Sequence, residues 1–266
     1  MEIRKVLPSV IFIFAILILW ELLCQFFSIA SYILPNPISI VKDLFGEFTD
    51  LMKHTGITLL EAILGFVIAN LIAIILAIII VYIPYSDKAI LPFAIGLKTT
   101  PIVALAPLLL IWFGNGITPK VAAAGLICFF PCLVNAIKGL KDLNEGEADL
   151  FSVYGATKTK TLFKLRLFRA APYIFSAFKI SSSLAIVGAI IGEFVGANNG
   201  IGYLILISSY HLESVRMFSS LITSAIAGII FYLLITIIEN KVVFWLKKTT
   251  DENKLESKYV SILTTK

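Results

Sequence analysis

Four ionisable residues interrupt or border long apolar runs in this 266-residue chain: Glu61, Lys98, Lys179 and Glu193. A Lys at the centre of a membrane helix costs about 2.5 to 3.5 kcal/mol on the insertion scale, against roughly 0.3 to 0.6 gained per large apolar residue. Such a group lines a polar path, finds a counter-charge, or snorkels to the surface. Lys98 is followed by Thr99 and Thr100. That set can receive an anionic solute, and equally Lys98 can snorkel from the end of its run. Lys179 stands seven residues past Pro172 and reads as snorkelling or ion-paired. Glu61 and Glu193 fall near the ends of their runs, where each can be solvated. Glu193 joins Lys98, Thr99 and Thr100 as a candidate lining residue of a translocation path. Ser181, Ser182 and Ser183, with Gly188 and Gly192, give one helix a small, partly polar side suited to close packing or a wet path.

The chemistry that is missing narrows the function. No phosphate-binding loop of the form Gly, four residues, Gly, Lys, Ser or Thr occurs: Lys precedes Thr at Lys98, Lys158, Lys160 and Lys248, and none of these has Gly before it. There is no Gly-x-Ser-x-Gly elbow and no His-Glu-x-x-His. No catalytic residue is assigned, and if ATP drives this protein, another chain hydrolyses it. Cys24, Cys128 and Cys132 all lie in apolar runs and indicate no disulfide framework. Cys128 and Cys132 share a helix face and read as packing. His54 and His211 read as external and isolated, so no metal site is expected.

The elements that must position these residues are membrane helices. A chain 59% hydrophobic and 15% charged is far from a soluble domain, whose charged fraction is about a quarter. The uncharged runs Ala62–Ser86, Thr99–Pro119, Val121–Ile137 and Met217–Ile238 each approach the roughly 20 residues a spanning helix needs. Two more, Leu7–Ile29 and Tyr173–Val195, tolerate isolated charges. The first lacks a small-residue cleavage site and reads as a retained span. The fold class is therefore all-α, a multi-pass protein of the cell membrane with about six transmembrane helices. With the amino terminus inside, sixteen Lys and Arg flank the spans on the cytoplasmic side and four on the other, so both termini are expected in the cytoplasm. Nothing resembles a nucleic-acid-binding face.

Three regions follow. Residues 1–56 hold the first span and an external amphipathic stretch from Ile40 to Met52, either an interfacial or a connecting helix. Residues 57–246 form the core. Its second span is expected from Ile57 to Ile83, its third is kinked by Pro101, and its fifth begins after Pro172 and ends near Gly196. Residues 247–266 are a polar cytoplasmic tail.

Within the core, the segment 138–171 carries seven Lys or Arg and four acids, far more charge than any other inter-span segment. It contains Asp149, Leu150 and Phe151, then Tyr154, Gly155, Ala156, Thr157 and Lys158, then Leu165, Arg166, Leu167 and Phe168. Two short helices meeting at a Gly make a compact knob, because Gly accepts a positive φ where the chain turns sharply. A basic loop resting on anionic lipid headgroups is the other reading.

This segment resembles the cytoplasmic signature of binding-protein-dependent ABC transporter permeases: Glu-Ala-Ala, three residues, Gly, nine residues, Ile, one residue, Leu-Pro. Gly155 and Leu165 keep the family separation and Leu167 matches its Leu. Asp149-Leu150-Phe151 replaces Glu-Ala-Ala, Leu165 replaces Ile, and Phe168 replaces Pro. The stretches Leu34-Pro35-Asn36-Pro37, Ala170–Phe175 and Gly200–Leu204 look like the branch importing nitrate, sulfonates, taurine or pyrimidine precursors. The resemblance covers roughly 33–246. It implies a permease subunit of an ATP-binding cassette importer, with a homodimeric arrangement, a cytoplasmic ATP-binding subunit and an extracytoplasmic substrate-binding protein. It also implies that Asp149, Tyr154, Gly155, Ala156, Thr157, Lys158, Leu165 and Leu167 form the ATPase-coupling loop. No cofactor is expected on this chain, with ATP on the partner subunit. The solute is small, and Lys98 is the reason to expect an anionic one. The alternative is a self-sufficient secondary transporter or channel, which would be expected to show inverted repeats and interrupted spans in both halves.

Overall fold

The structure, a computed structural model, describes residues 3–245, so the tail expected at 247–266 and the extreme amino terminus lie outside the described residues. Every regular element among the described residues is helical. In chain order these are α1 (Ile3–Phe26), α2 (Pro37–Gly46), α3 (Phe48–Tyr82), α4 (Ser86–Thr99), α5 (Ile102–Phe113), α6 (Thr118–Lys141), α7 (Glu145–Val153), α8 (Lys158–Thr161), α9 (Leu167–Glu193), α10 (Ile201–Tyr210) and α11 (Ser214–Val242). A π-helical turn, Leu162–Arg166, joins α8 to α9. Four stretches are long and apolar enough to cross a membrane: α3, α6, the continuous Lys158–Glu193 run and α11. Counting α4 and α5 as one bent span makes five. The apolar part of α1, Ile11–Phe26, and α10 are shorter.

Local sequence explains the boundaries. α4 and α5 diverge by 102° at Thr100 and Pro101. The proline ring disfavours helical ψ at Thr100, which is extended with φ −74 and ψ 124. The hydroxyls of Thr99 and Thr100 both donate to the Gly96 carbonyl, which also accepts the last backbone bond of α4 from the Thr100 N–H. α2 starts at an Asn36 cap, whose Oδ1 accepts from the Ser39 N–H at 2.8 Å, with Pro37 next.

Two boundaries differ from the sequence expectation. α3 begins at Phe48 rather than Ile57, because its polar opening turns continue the helix beyond the apolar run. The fifth span does not begin after Pro172. Its helix is already running at Lys158, and Pro172 sits inside α9. The amphipathic stretch is likewise divided at Glu47 between α2 and α3.

The described chain packs as two compact units. One comprises the described residues up to Gly65 with Pro101–Ala124 and Ala185–Gly228; the other comprises Phe66–Thr100, Gly125–Leu184 and the described residues from Ile229. The second unit has a core rich in alanine: Ala73, Ala77, Ala94, Ala136, Ala170 and Ala177 are fully buried with Cys132, Leu133 and Leu140. Small side chains let helix backbones approach, which is how packing energy is gained where lipid already solvates large apolar groups. Gly139 is the tightest such place, since a Cβ there would lie 2.8 Å from the Ala170 Cα. Lys179 pairs with Glu239 at 2.7 Å in this unit, so its charge is met by an ion pair. In the first unit Arg216 of α11 pairs with Asp43 of α2 at 3.5 Å and with Asp50 of α3.

Candidate functional site

The charged segment forms a turn built from its own residues and braced at its base. α7 ends in a Schellman arrangement: the Ala156 N–H donates to Phe151 O and the Gly155 N–H to Ser152 O, both at 2.9 Å. Gly155 supplies the required left-handed residue at φ +65. Two residues later Thr157 caps α8, its hydroxyl accepting from the Lys160 N–H at 3.3 Å. One helix thus stops and another starts within four residues, Tyr154 to Thr157. Bracing comes from within the same unit. Arg169 forms a two-nitrogen pair with the Glu147 carboxylate. Arg166 donates to Leu140 O at 2.7 Å and lies over the Tyr82 ring, and the Tyr82 hydroxyl donates to Lys158 O. Tyr173 donates to Asp142 at 2.7 Å, with Lys138 above its ring.

The tip itself is bare. Val153 is 84% exposed and Tyr154 80%, and Asp149 and Leu150 beside them are exposed as well. Thr157 and Lys158 are exposed and Ala156 is half-buried. Leu165 and Leu167 are half-buried on the far side of the turn, with Leu167 packed on the alanine core.

The candidate path residues are divided between the two packing units. Lys98, Thr99 and Thr100 are exposed at the end of α4, where the Lys98 ammonium lies 4.5 Å from the Phe130 ring centroid. Glu193 belongs to the other packing unit. There it is 1% exposed, and Glu61 is 4% exposed, which corrects the expectation that both carboxyls are solvated. His54, expected to be isolated, is also buried and fully engaged.

His54, Thr58 and Glu193 hold the start of α10. Gly196 and Gly200 take positive φ, so the chain reverses between α9 and α10. The opening N–H groups of a helix have no partner within it. Here the Gly200 N–H donates to His54 Nδ1 and the Ile201 N–H to Thr58 Oγ1, each at 2.8 Å, while the Gly202 N–H donates to Glu193 Oε2. The Thr58 hydroxyl then donates to Glu193 Oε1 at 2.7 Å. A carboxylate at a helix amino terminus also opposes the positive end of the helix dipole. His54 Nε2 faces Asp50 at 3.6 Å. Glu61 lies within hydrogen-bonding reach of Glu193, and Lys120 is near it, donating to Gly116 O at 2.7 Å.

Sequence reading missed this cluster because its members lie as many as 146 residues apart. One signal was present: His54, Thr58 and Glu61 repeat at helical spacing, a polar stripe on one face of α3.

Comparison with known proteins agrees with this architecture. Residues 69–250 match the family model described as binding-protein-dependent transport system inner membrane component. A probable ABC transporter permease protein of Haemophilus influenzae is 32% identical over 222 residues, covering 84% of this chain and 90% of that protein. The formylaminopyrimidine transport permease protein ThiX of Halalkalibacterium halodurans is 30% identical over 245 residues, covering 92% and 98%. Among solved structures, a chain of the MetNI methionine ABC transporter in inward-facing conformations shares the fold, with a TM-score of 0.61 over 75% of this chain and 97% of that one at 16% identity.

Proposed function

The chain belongs to the binding-protein-dependent transport system inner membrane components, and from that membership we propose that the turn at Gly155 is where its ATP-binding subunit grips it. The protein is a multi-pass permease subunit of an ATP-binding cassette importer of a small solute. It is not itself an enzyme; hydrolysis belongs to a separate cytoplasmic subunit, and a binding protein on the other side of the membrane delivers the solute. Two copies of this chain form the pathway in this reading. Lys98, with Thr99 and Thr100, and Glu193 remain candidate lining residues.

One observation carries the coupling role. A turn outside the long apolar core is braced by Arg169 and Glu147, Arg166 and Leu140, and Tyr173 and Asp142, yet presents Val153 and Tyr154 bare. A rigid base transmits a push, and exposed large apolar side chains at a polar surface mark a docking site. Asp149 and Lys158 flank that tip with charges of opposite sign and set its register on a partner.

The test is capture of the ATP-binding subunit from the native host by the tagged full chain, comparing wild type with Val153→Asp/Tyr154→Asp. Both side chains project from a self-contained turn, so the variant is expected to keep its wild-type melting temperature and lose the captured ATPase. Capture undiminished in the variant would refute the docking assignment. Wild type that captures no ATPase, yet moves a solute in liposomes without ATP, would refute the coupling scheme itself.

A further inference from the structure

His54 is buried on the opening turns of α3, and both nitrogens of its ring are engaged. Nδ1 accepts the Gly200 N–H at 2.8 Å, and Nε2 faces the Asp50 carboxylate at 3.6 Å. The Tyr203 ring of α10 stacks on the imidazole, with centroids 6.1 Å apart. The other charges acting on it are Lys53 of α3 and Arg216 of α11, and Arg216 is itself held by Asp43 and Asp50. All of these residues lie in the first packing unit.

The geometry fixes the tautomer. A neutral imidazole has one N–H and one accepting nitrogen, so with Nδ1 accepting, the proton resides on Nε2, toward Asp50. A second proton has one place to go, Nδ1, where it would set an N–H against the Gly200 N–H. The atom that titrates is thus the atom that holds the chain. Asp50 favours the imidazolium while Lys53 and Arg216 oppose it, and all three act from α3 and α11 whether or not Gly200 is held. The hold is also local. Ile201 and Gly202 keep their acceptors on Thr58 and Glu193 when Gly200 is lost, so α10 persists. What comes free is the turn before it, where Gly196 and Gly200 take positive φ and Asn198 and Asn199 are exposed.

We infer that His54 is an acid-operated latch: proton uptake at Nδ1 releases the Gly200 N–H and frees the α9–α10 turn from α3. In the importer reading this end of α3 lies on the side where the binding protein delivers, so acidity there acts on the permease directly, without the ATP-binding subunit. Glu193 and Glu61 are the other titratable groups at the α10 start, and protonation of Glu193 would weaken its hold on Gly202. The test therefore separates them from His54.

Hydrogen–deuterium exchange of the Gly200 amide, on the full chain in nanodiscs without any ATPase, reads the latch. Protection is taken relative to the unstructured exchange rate at each pH. A released imidazole takes up one proton near pH 6.5, so protection is expected to fall about tenfold between about pH 7.5 and about pH 5.5. His54→Asn places an amide oxygen that does not titrate where Nδ1 stands, and is expected to keep the amide protected at both pH values. His54→Gln carries its acceptor one bond further out and is expected to leave the amide unprotected at both. Thermal melts separate local release from lost folding. Constant protection in wild type would overturn the latch. So would an equal fall in a folded His54→Asn, which would assign the acid response to Glu193 and Glu61. Should His54→Asn not fold, His54→Gln decides, since wild-type protection in that variant at about pH 7.5 would show that Nδ1 does not hold Gly200. No ATPase or solute takes part, so these outcomes and the capture experiment stand or fall separately.

Discussion

Gly155 and Gly200 both adopt backbone angles that favour glycine, at φ +65 and φ +108, in opposite surroundings. A Cβ at Gly155 would meet nothing within 4 Å, whereas one at Gly200 would meet the Glu193 carboxyl, with its nearest oxygen at 2.1 Å. The Gly155 turn is closed by its own backbone and the Thr157 cap. The start of α10 borrows His54, Thr58 and Glu193 to occupy its first N–H groups. On the proposed coupling role, the Gly155 turn keeps its surroundings clear for another molecule and supplies its own hydrogen bonds. A turn that must be held still is built into its neighbours.

Substitutions at the two turns should therefore separate. Gly200→Ala is expected to be the most damaging, because it adds a strain of about 1 to 3 kcal/mol to a collision with a buried carboxyl. A loss of monodisperse protein after detergent extraction is the expected result, and a near-normal melt would show that the α10 start is looser than described. Glu193→Gln keeps the shape but replaces one of two accepting oxygens with a donor, setting an N–H against the N–H of Gly202 or the hydroxyl of Thr58. It should cost about 2 kcal/mol, read as a lower melting temperature in a purified and still folded protein. Gly155→Ala should be mildest, about 1 kcal/mol from backbone strain alone, since the added methyl collides with nothing. If Gly155→Ala proved worse than Gly200→Ala, the contrast between an open and an embedded turn would collapse.

The two turns also differ in how readable they are. Everything that makes the Gly155 turn is local: a Gly to end one helix and a Thr to cap the next lie two residues apart, and charge density marks the segment. The break at Pro101 is readable for the same reason, as one ring dictates the conformation of the residue before it. The α10 start depends on Thr58 meeting Glu193 across 135 residues, and no periodicity records that. Burial of Glu61 and Glu193 was misjudged because position along an apolar run gives depth, while partners decide whether a charge is solvated. The start of α3 was missed by nine residues, Phe48 against Ile57, since hydropathy detects the lipid-facing portion of a helix and not its polar extension.

That extension has a mechanical consequence. At 35 residues α3 is about 52 Å long, against a hydrocarbon core of about 30 Å. The surplus must be taken up by tilt or by helix standing clear of the acyl chains. Asp50 and His54 ride on its opening turns, where Asp50 is anchored to Arg216. Lengthening or shortening the lipid tails is therefore expected to change the tilt of this helix or the length of it that stands clear.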